Sequence, residues 1–220
     1  MKDQVKGAVF DMDGLLLDTE YLTYRLCKAA AAEMGFTLSL DLFKQTVGLR
    51  SSDTKKILEA AFGTAFCYED LRARNLSMFW SYIEKNGVPV KEGVFTLLSL
   101  LKEEGILCAV ATSTSRQTAS KLLRLCGLAE YMDAFVYGDM VENGKPAPDI
   151  FLKACSLLAI APAACVGFED SYNGIRAVYR AGMAPVMIPD LLPPTPEMQK
   201  LTYAIYTNLE QATELFKKEK

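Results

Sequence analysis

Short β-branched apolar runs alternate with amphipathic helical stretches along most of this 220-residue chain. The apolar run 107–112, for example, is followed directly by the helical pattern 115–126. Strands that alternate with helices form βαβ units, in which a parallel sheet is buried on both faces. The alternation therefore predicts an α/β fold with a parallel sheet. The predicted strands cover residues 5–10, 107–112, 134–137, 164–168, 184–188 and, with a weaker pattern, 204–207.

One long segment interrupts the alternation. Between residues 17 and 87 the pattern is helical only, with glycines that separate the helices, and Asp18 is expected to cap the first of them. An insert of helices with their own apolar faces indicates a second domain that covers the active edge of the sheet. We expect a core domain of residues 1–16 and 88–220 and a helical cap domain of residues 17–87. The predicted cap helices cover residues 19–34, 40–47, 52–62 and 68–86.

Composition and charge exclude several classes of protein. A net charge of −3 argues against a general nucleic-acid binder, which would carry a basic surplus. No apolar stretch reaches the roughly 18 residues of a membrane span, and no signal peptide precedes the first strand. We expect a cytoplasmic monomer whose six scattered cysteines are reduced. Because the chain contains no histidine, Ser-His-Asp and Cys-His nucleophiles and most zinc sites are excluded.

Two aspartates, Asp11 and Asp13, follow the first predicted strand. Ligand sites of open parallel sheets lie at the carboxyl ends of the strands. Two like charges at such a place are costly unless a cation lies between them. The alternative is a turn with helix-capping aspartates, which suits the segment 18–20 better. The pair therefore indicates a cation-binding active site.

Three further strand-end segments carry polar groups. Thr112 and Ser113 follow the second predicted strand, Lys145 lies in a proline-framed turn, and Glu169 and Asp170 end another strand. Each has an ordinary alternative, because hydroxyls and carboxylates cap helices and a lone lysine is usually solvated. Together, however, the segments supply a nucleophile, oxygen ligands for a hard cation, and donors for an anion. These are the groups that phosphoryl transfer requires.

These segments resemble the haloacid dehalogenase-like hydrolases. Within them, the chain is most similar to the subfamily of β-phosphoglucomutase and related sugar-phosphate phosphatases. The similarity rests on DxDG at 11–14, the hydroxyl of Thr112, GKPAPDIF at 144–151 and GFEDS at 167–171. It implies a Rossmann-like parallel sheet core with an inserted all-helical cap domain. It also implies Mg²⁺-dependent hydrolysis of a small phosphorylated metabolite, such as a sugar phosphate.

The resemblance also implies a role for each matching residue. Asp11 would be the nucleophile that becomes phosphorylated, and Asp13 the general acid and base. Thr112, the backbone of Ser113 and Lys145 would hold the phosphoryl oxygens. The implied Mg²⁺ ligands are Asp11, the main-chain carbonyl of Asp13, Asp170 and, in an assisting role, Glu169.

The cap departs from the mutase pattern in two places. Thr23 stands where the mutase has a histidine, and Arg50 lies one residue before the position of the mutase arginine that grips a second phosphate. We therefore expect hydrolysis, with a phosphosugar mutase as the alternative. A phosphatase of a non-sugar substrate and a non-catalytic binding protein were the remaining hypotheses, and the intact Asp11 and Asp13 disfavour the last. The candidate substrate contacts in the cap are Thr19, Gly48 and Arg50, whereas Trp80 is expected in the cap core.

Overall fold

Six parallel strands form one sheet in the order β3-β2-β1-β4-β5-β6 in the computed structural model, which describes residues 5–217. This confirms the predicted α/β class with a parallel sheet. Residues 1–4 and 218–220 of the expected core domain lie outside the described residues. The strands are β1 (Gly7–Phe10), β2 (Leu107–Thr112), β3 (Ala134–Tyr137), β4 (Cys165–Glu169), β5 (Ala184–Met187) and β6 (Ala204–Ile205).

The sheet is covered on both faces because successive side chains of its strands point in opposite directions. Ala8 and Phe10 of β1 pack into one apolar cluster, and Val9 packs into another on the opposite face. The rings of Phe10 and Phe168 stack across β1 and β4 with centroids 4.8 Å apart. The core helices are α5 (Val94–Glu103), α6 (Arg116–Leu125), α7 (Asp149–Leu158), α8 (Tyr172–Arg180) and α9 (Pro196–Leu201).

Four helices lie between β1 and α5, and they form the inserted cap. Tyr24, Phe43 and Leu58 belong to an apolar cluster that is separate from the two sheet clusters. The cap therefore has an apolar cluster of its own, to which Leu192 of the core adds, whereas its exact boundaries at residues 17 and 87 stay a prediction. The cap helices are α1 (Glu20–Glu33), α2 (Leu40–Lys44), α3 (Ser51–Phe62) and α4 (Tyr68–Asn86).

Asp18 does not cap the first cap helix, contrary to the sequence-based expectation. Helix α1 begins at Glu20 with Thr19 at its N-cap position, and no side chain caps it. The carboxylate of Asp18 instead accepts a hydrogen bond from Lys91 at 3.2 Å. A tertiary ion pair has thus taken the side chain away from the helix end, which a local sequence pattern cannot reveal.

Two chain crossings join the cap to the core, and they pair with each other. Asp18 N–H donates to the Pro89 carbonyl at 2.9 Å, and Lys91 N–H donates to the Leu16 carbonyl at 3.0 Å. The paired crossings therefore fix where the cap leaves the sheet, which is at the carboxyl end of β1.

None of the helices within residues 5–217 is long and apolar enough to cross a membrane.

Candidate active site

The side chain of Lys145 lies at the centre of the predicted site. Its ammonium group donates to the carboxylate of Asp11, to Oε1 of Glu169 at 2.6 Å and to the carbonyl of Ala111 at 3.1 Å. Asp11 directly follows β1, Glu169 ends β4, and Ala111 lies in β2, so three adjacent strands converge on one cation. The structure thus brings together residues that are separated by up to 158 positions in the sequence, from Asp11 to Glu169.

Burial and charge set the protonation of this cluster. Burial raises the pKa of Asp11 to about 7, although the Lys145 ammonium opposes the rise. Burial would lower the pKa of Lys145, but the adjacent carboxylates of Asp11 and Glu169 outweigh it and hold that pKa above its usual value. Lys145 is 3% exposed, so its charge is paired rather than solvated. The lysine is therefore a fixed positive charge beside the candidate nucleophile.

The carboxylates of Asp11, Glu169 and Asp170 lie close enough to share a metal ion, with one oxygen from each within 4.8 Å of the others. Oδ2 of Asp170 is buried and accepts no hydrogen bond from the described residues. Burial raises the pKa of Asp170 well above its usual range, and the charges of Glu169 and Asp11 add to this. Because all three ligands are oxygens, the set fits a hard divalent cation such as Mg²⁺.

Gly14 leaves room for the carboxylate of Asp170. A Cβ atom there would collide with Oδ2 of Asp170, and the backbone adopts φ +83°, which disfavours other residues. The sequence pattern DxDG therefore serves the carboxylate geometry as well as the turn.

Glu169 is held from the opposite side by the start of α8. Its Oε2 accepts hydrogen bonds from Asp170 N–H at 3.0 Å, Ser171 N–H at 3.1 Å and the Ser171 hydroxyl at 3.0 Å. Gly174 lies so close to the carboxylate that a Cβ atom would overlap it. Both oxygens of Glu169 thus accept hydrogen bonds from the protein, which holds the side chain in place. A fixed carboxylate of this kind suits an assisting role toward a metal.

Two threonine hydroxyls hold the carboxylate of Asp13. Thr19 Oγ1 donates to Oδ1 at 2.8 Å, and Thr114 Oγ1 donates to Oδ2 at 2.7 Å. Thr19, which was expected to contact substrate, is 1% exposed and lies behind Asp13 instead. Thr114 was not predicted, because its place after β2 could not be distinguished from an ordinary helix start. One donor on each oxygen fixes the orientation of this carboxyl group.

Thr112 and Ser113 form the third part of the site. Thr112 Oγ1 accepts a hydrogen bond from Thr114 N–H at 3.0 Å, which leaves its own proton available to a ligand. Ser113 Oγ donates to the carbonyl of Gly48 in the cap at 3.1 Å. Both residues line the cavity described next, so the predicted anion-binding segment faces the predicted nucleophile.

A cavity of about 260 Å³ separates the cap from the sheet edge. Its floor includes Asp11 and Asp13, and its walls come from the cap helices, so the cap covers the active edge as expected. Glu20 was not predicted as a site residue, yet it lines this cavity, and burial together with the Asp13 and Asp11 charges raises its pKa well above its usual value. The cap residues that line the cavity are Glu20, Thr23, Cys27, Leu38, Phe43, Thr46, Gly48, Leu49, Ser51, Thr54, Leu58, Tyr68, Leu71, Arg72, Asn75, Leu76 and Phe79.

The structure does not bring Arg50 to this cavity. Its Nη1 donates to the carbonyl of Glu142 in the core at 2.7 Å, and its side chain packs against Gly144. A Cβ atom at position 144 would lie 2.5 Å from Nε of Arg50. The arginine therefore joins the cap to the loop that carries Lys145, and only Gly48 of the two predicted cap-loop contacts lines the cavity.

Comparison with known proteins agrees with this geometry. The family model described as haloacid dehalogenase-like hydrolase matches residues 8–188. The phosphorylated carbohydrates phosphatase of Thermotoga maritima is 33% identical over 183 residues, which are 81% of this chain and 82% of that protein. The β-phosphoglucomutase of Bacillus subtilis is 29% identical over 185 residues, which are 81% of each protein.

A solved structure of CbbY from Rhodobacter sphaeroides in complex with phosphate has the same fold, with a TM-score of 0.80 and 24% identity over 94% of this chain and 96% of that one. The chain belongs to the haloacid dehalogenase-like hydrolases. Its class among enzymes is that of the phosphoric monoester hydrolases.

Proposed function

We propose that this protein is a Mg²⁺-dependent phosphatase that hydrolyses a small phosphate monoester, of the sugar-phosphate type, through a phospho-aspartate on Asp11. The observation that carries the proposal is the buried contact of Asp11 with Lys145 at the floor of the cavity between the cap and the sheet edge. A carboxylate must approach a phosphoryl group of the same charge, and a fixed ammonium beside it reduces that repulsion. The phosphatase of Thermotoga maritima, which is named for phosphorylated carbohydrates, supports the substrate class.

In the first half-reaction, an oxygen of Asp11 attacks phosphorus and the bond from phosphorus to the alcohol oxygen breaks. Lys145, the Thr112 hydroxyl and the Ser113 backbone donate to the phosphoryl oxygens. Asp13, in its protonated form, gives its proton to the departing alcohol oxygen. A hydroxyl that donates to Asp13 can rotate and accept instead, so Thr19 and Thr114 can follow this change of protonation.

In the second half-reaction, water attacks the phosphorus atom of phospho-Asp11. Asp13 is now a carboxylate and takes a proton from that water, which regenerates its acid form. The phosphoryl–Asp11 bond breaks and inorganic phosphate leaves. One residue thus serves as acid and then as base, and the two threonine donors keep it aimed at the same place in both steps.

The metal would be held by Asp11, Asp170 and the main-chain carbonyl of Asp13, with Glu169 in support. When bound, Mg²⁺ would neutralise part of the phosphoryl charge as a Lewis acid. The unpartnered Oδ2 of Asp170 supports this assignment, because a buried carboxylate oxygen without a partner is costly. Loss of phosphate release in excess EDTA, restored by Mg²⁺, is the expected result.

A phosphosugar mutase is the second candidate, because the β-phosphoglucomutase of Bacillus subtilis is a relative. A mutase must bind a second phosphate firmly and exclude water while the bisphosphate turns around. Thr23 lines the cavity where the mutase has a histidine, and Arg50 is directed to Glu142. Incubation with β-glucose 1-phosphate, with and without the 1,6-bisphosphate, distinguishes the phosphatase from the mutase. Glucose 6-phosphate that greatly outpaces inorganic phosphate would favour the mutase.

The decisive experiment for the proposed intermediate is acid quenching during turnover, followed by intact-mass measurement. The wild type should carry one added phosphoryl group, and peptide mapping should locate it on Asp11. Asp11→Asn should lack the adduct and lose turnover by orders of magnitude, whereas Asp41→Asn on the cap surface should behave as wild type. A full-speed Asp11→Asn variant would refute the mechanism.

A further inference from the structure

One face of helix α4 forms part of the cavity wall. From Tyr68, the lining residues Leu71, Arg72, Asn75, Leu76 and Phe79 follow at i+3, i+4, i+7, i+8 and i+11, as one helical face does. A group bound in the cavity above Asp11 can therefore contact this face of α4. The side chains on this face limit which alcohol portions of a substrate the cavity can bind.

Arg72 is the single cation among the residues that line the cavity. No hydrogen bond or ion pair joins its guanidinium to another residue of the described chain. The neighbouring arginines differ in this respect, because Arg74 pairs with Glu33 at 3.0 Å and Arg50 donates to the Glu142 carbonyl. Arg72 thus has its donors available to a ligand on the cavity side of α4.

The cavity wall also carries hydroxyl and amide groups. Thr23, Ser51, Thr54 and Asn75 all line the cavity. The Asn75 amide donates to the Thr23 carbonyl at 3.4 Å, so its own oxygen remains available as an acceptor. Hydroxyl and amide groups can form hydrogen bonds with the hydroxyls of a polyhydroxy chain, so they suit such a chain better than a purely apolar chain.

We infer that the alcohol portion of the substrate carries a second anionic group, which Arg72 binds at the end remote from the transferred phosphoryl group. This rests on the proposed phosphatase function and narrows its substrate class to polyhydroxy phosphate monoesters with a distal carboxylate or phosphate. The planar guanidinium can hold either group with two parallel hydrogen bonds. Arg72 lines the cavity but is itself exposed, so water screens part of this pair, and the planar two-bond geometry carries its selectivity.

The test compares open-chain monoesters that differ in one group. Glucitol 6-phosphate ends in a neutral alcohol, and 6-phosphogluconate ends in a carboxylate at the same place. Glucitol 6-phosphate and glucitol 1,6-bisphosphate form the corresponding pair for a distal phosphate. An exposed ion pair with two parallel hydrogen bonds is worth up to about fivefold, so kcat/KM should be about fivefold higher for the anionic member of one pair.

Arg72→Gln should remove that preference, because kcat/KM falls more for the anionic member than for the neutral one. Arg74→Gln, on the outer face of the same helix, is the matched control and should keep the preference. Equal kcat/KM values within both pairs, or a preference that survives in Arg72→Gln, would overturn the inference.

Equilibrium binding to Asp11→Asn separates this inference from the proposed function. That variant should bind 6-phosphogluconate or the bisphosphate more tightly than the neutral partner, and the additional Arg72→Gln change should abolish the difference. Absence of phosphate release from every ester, p-nitrophenyl phosphate included, would refute the phosphatase proposal. Absence of a binding preference would refute the role of Arg72, whether or not turnover occurs.

Discussion

At the scale of single residues, Lys145 is the group on which both charge balance and chemistry depend. It contacts two carboxylates, Asp11 and Glu169, in a place where all three side chains are at most 9% exposed. Removing one partner from a buried ionic cluster leaves an uncompensated charge, which commonly costs about 3 to 5 kcal/mol. Loss of the Lys145 cation alone should therefore destabilise the fold more than removal of the cation together with one of its carboxylate partners.

We expect Lys145→Met to lower the free energy of unfolding by about 3 kcal/mol and to abolish phosphate release. The double variant Lys145→Met/Glu169→Gln should regain part of that stability, because one buried negative charge is removed with the positive one, but none of the activity. Urea unfolding without added metal measures the first effect, and Lys200→Met on the surface is the control. A double variant no more stable than Lys145→Met would contradict the charge explanation.

The threonine hydroxyls that donate to Asp13 allow a second prediction. Thr114→Val keeps the side-chain shape but removes one donor, so Asp13 should lose its alignment as a general acid. General acid catalysis contributes about 10²- to 10⁴-fold, and we expect kcat for an alkyl phosphate to fall by about tenfold or more. With p-nitrophenyl phosphate, whose leaving group needs little protonation, the loss should be smaller.

The exposed variant Thr64→Val serves as the control for this comparison. Equal losses for the alkyl and the aryl ester would argue that Thr114 acts on the attack step, and the assigned role would then be wrong.

How far the sequence predicts this site depends on where each residue lies in the fold. Asp11 and Asp170 lie at the sheet edge because strand ends converge there, so a correct strand assignment was enough to bring them together. Lys145 lies in a turn between β3 and α7, and its proline frame was the signal that singled it out. Thr114, Glu20 and Arg72 could not be found in this way. Their roles depend on the rotation of a helix or a loop against a neighbour, which no local pattern encodes.

At the scale of elements, the cap loop from Gly48 to Arg50 contacts three catalytic loops of the core. Gly48 accepts a hydrogen bond from Ser113 and lies against Ser171, where a Cβ atom would come within 2.5 Å of the serine hydroxyl. Arg50 reaches Glu142, beside the turn of Lys145. This loop is therefore where the position of the cap can affect the geometry of the catalytic groups.

We expect Arg50→Ala to lower kcat by about fivefold for every substrate, p-nitrophenyl phosphate included, with KM little changed. The reason is that the lost hydrogen bond, worth about 1 kcal/mol, supports the Lys145 loop rather than the substrate. Arg25→Ala, an exposed change in α1, is the control. A raised KM confined to sugar phosphates would show that Arg50 binds substrate, as the sequence had suggested.

The elements themselves were predicted to within a few residues where the pattern was long. Helix α4 has the predicted bounds, and the strands of the core differ by two residues at most at either end. Helix α9 was missed because three prolines lie within residues 193–196, at and just before its start, and such a segment is typical of a loop. Its six residues begin at a Thr195 cap whose hydroxyl accepts from Met198 N–H at 3.2 Å.

At the scale of the whole molecule, two of the contacts between the cap and the core can report on the position of the cap. One is the loop from Gly48 to Arg50, and the other is Trp80 of α4, over whose ring the ammonium of Lys121 in α6 lies 3.9 Å from the centroid. Trp80 also packs against the apolar cluster of the sheet, although it was expected in the core of the cap. We expect the cap to move about its paired crossings when a substrate binds in the cavity.

Because Trp80 is the one tryptophan of the chain, its fluorescence reports directly on this contact. A phosphate mimic such as beryllium fluoride, added with Mg²⁺, should favour the closed cap, shift the Trp80 emission and reduce the radius of gyration in X-ray scattering. Lys121→Met removes an interaction worth about 0.5 to 1 kcal/mol, so the open population should rise about two- to fivefold and more mimic should be needed for the same shift. Lys200→Met should titrate as the wild type does. Identical emission and scattering with and without the mimic would mean that the cap keeps one position, which would contradict this expectation.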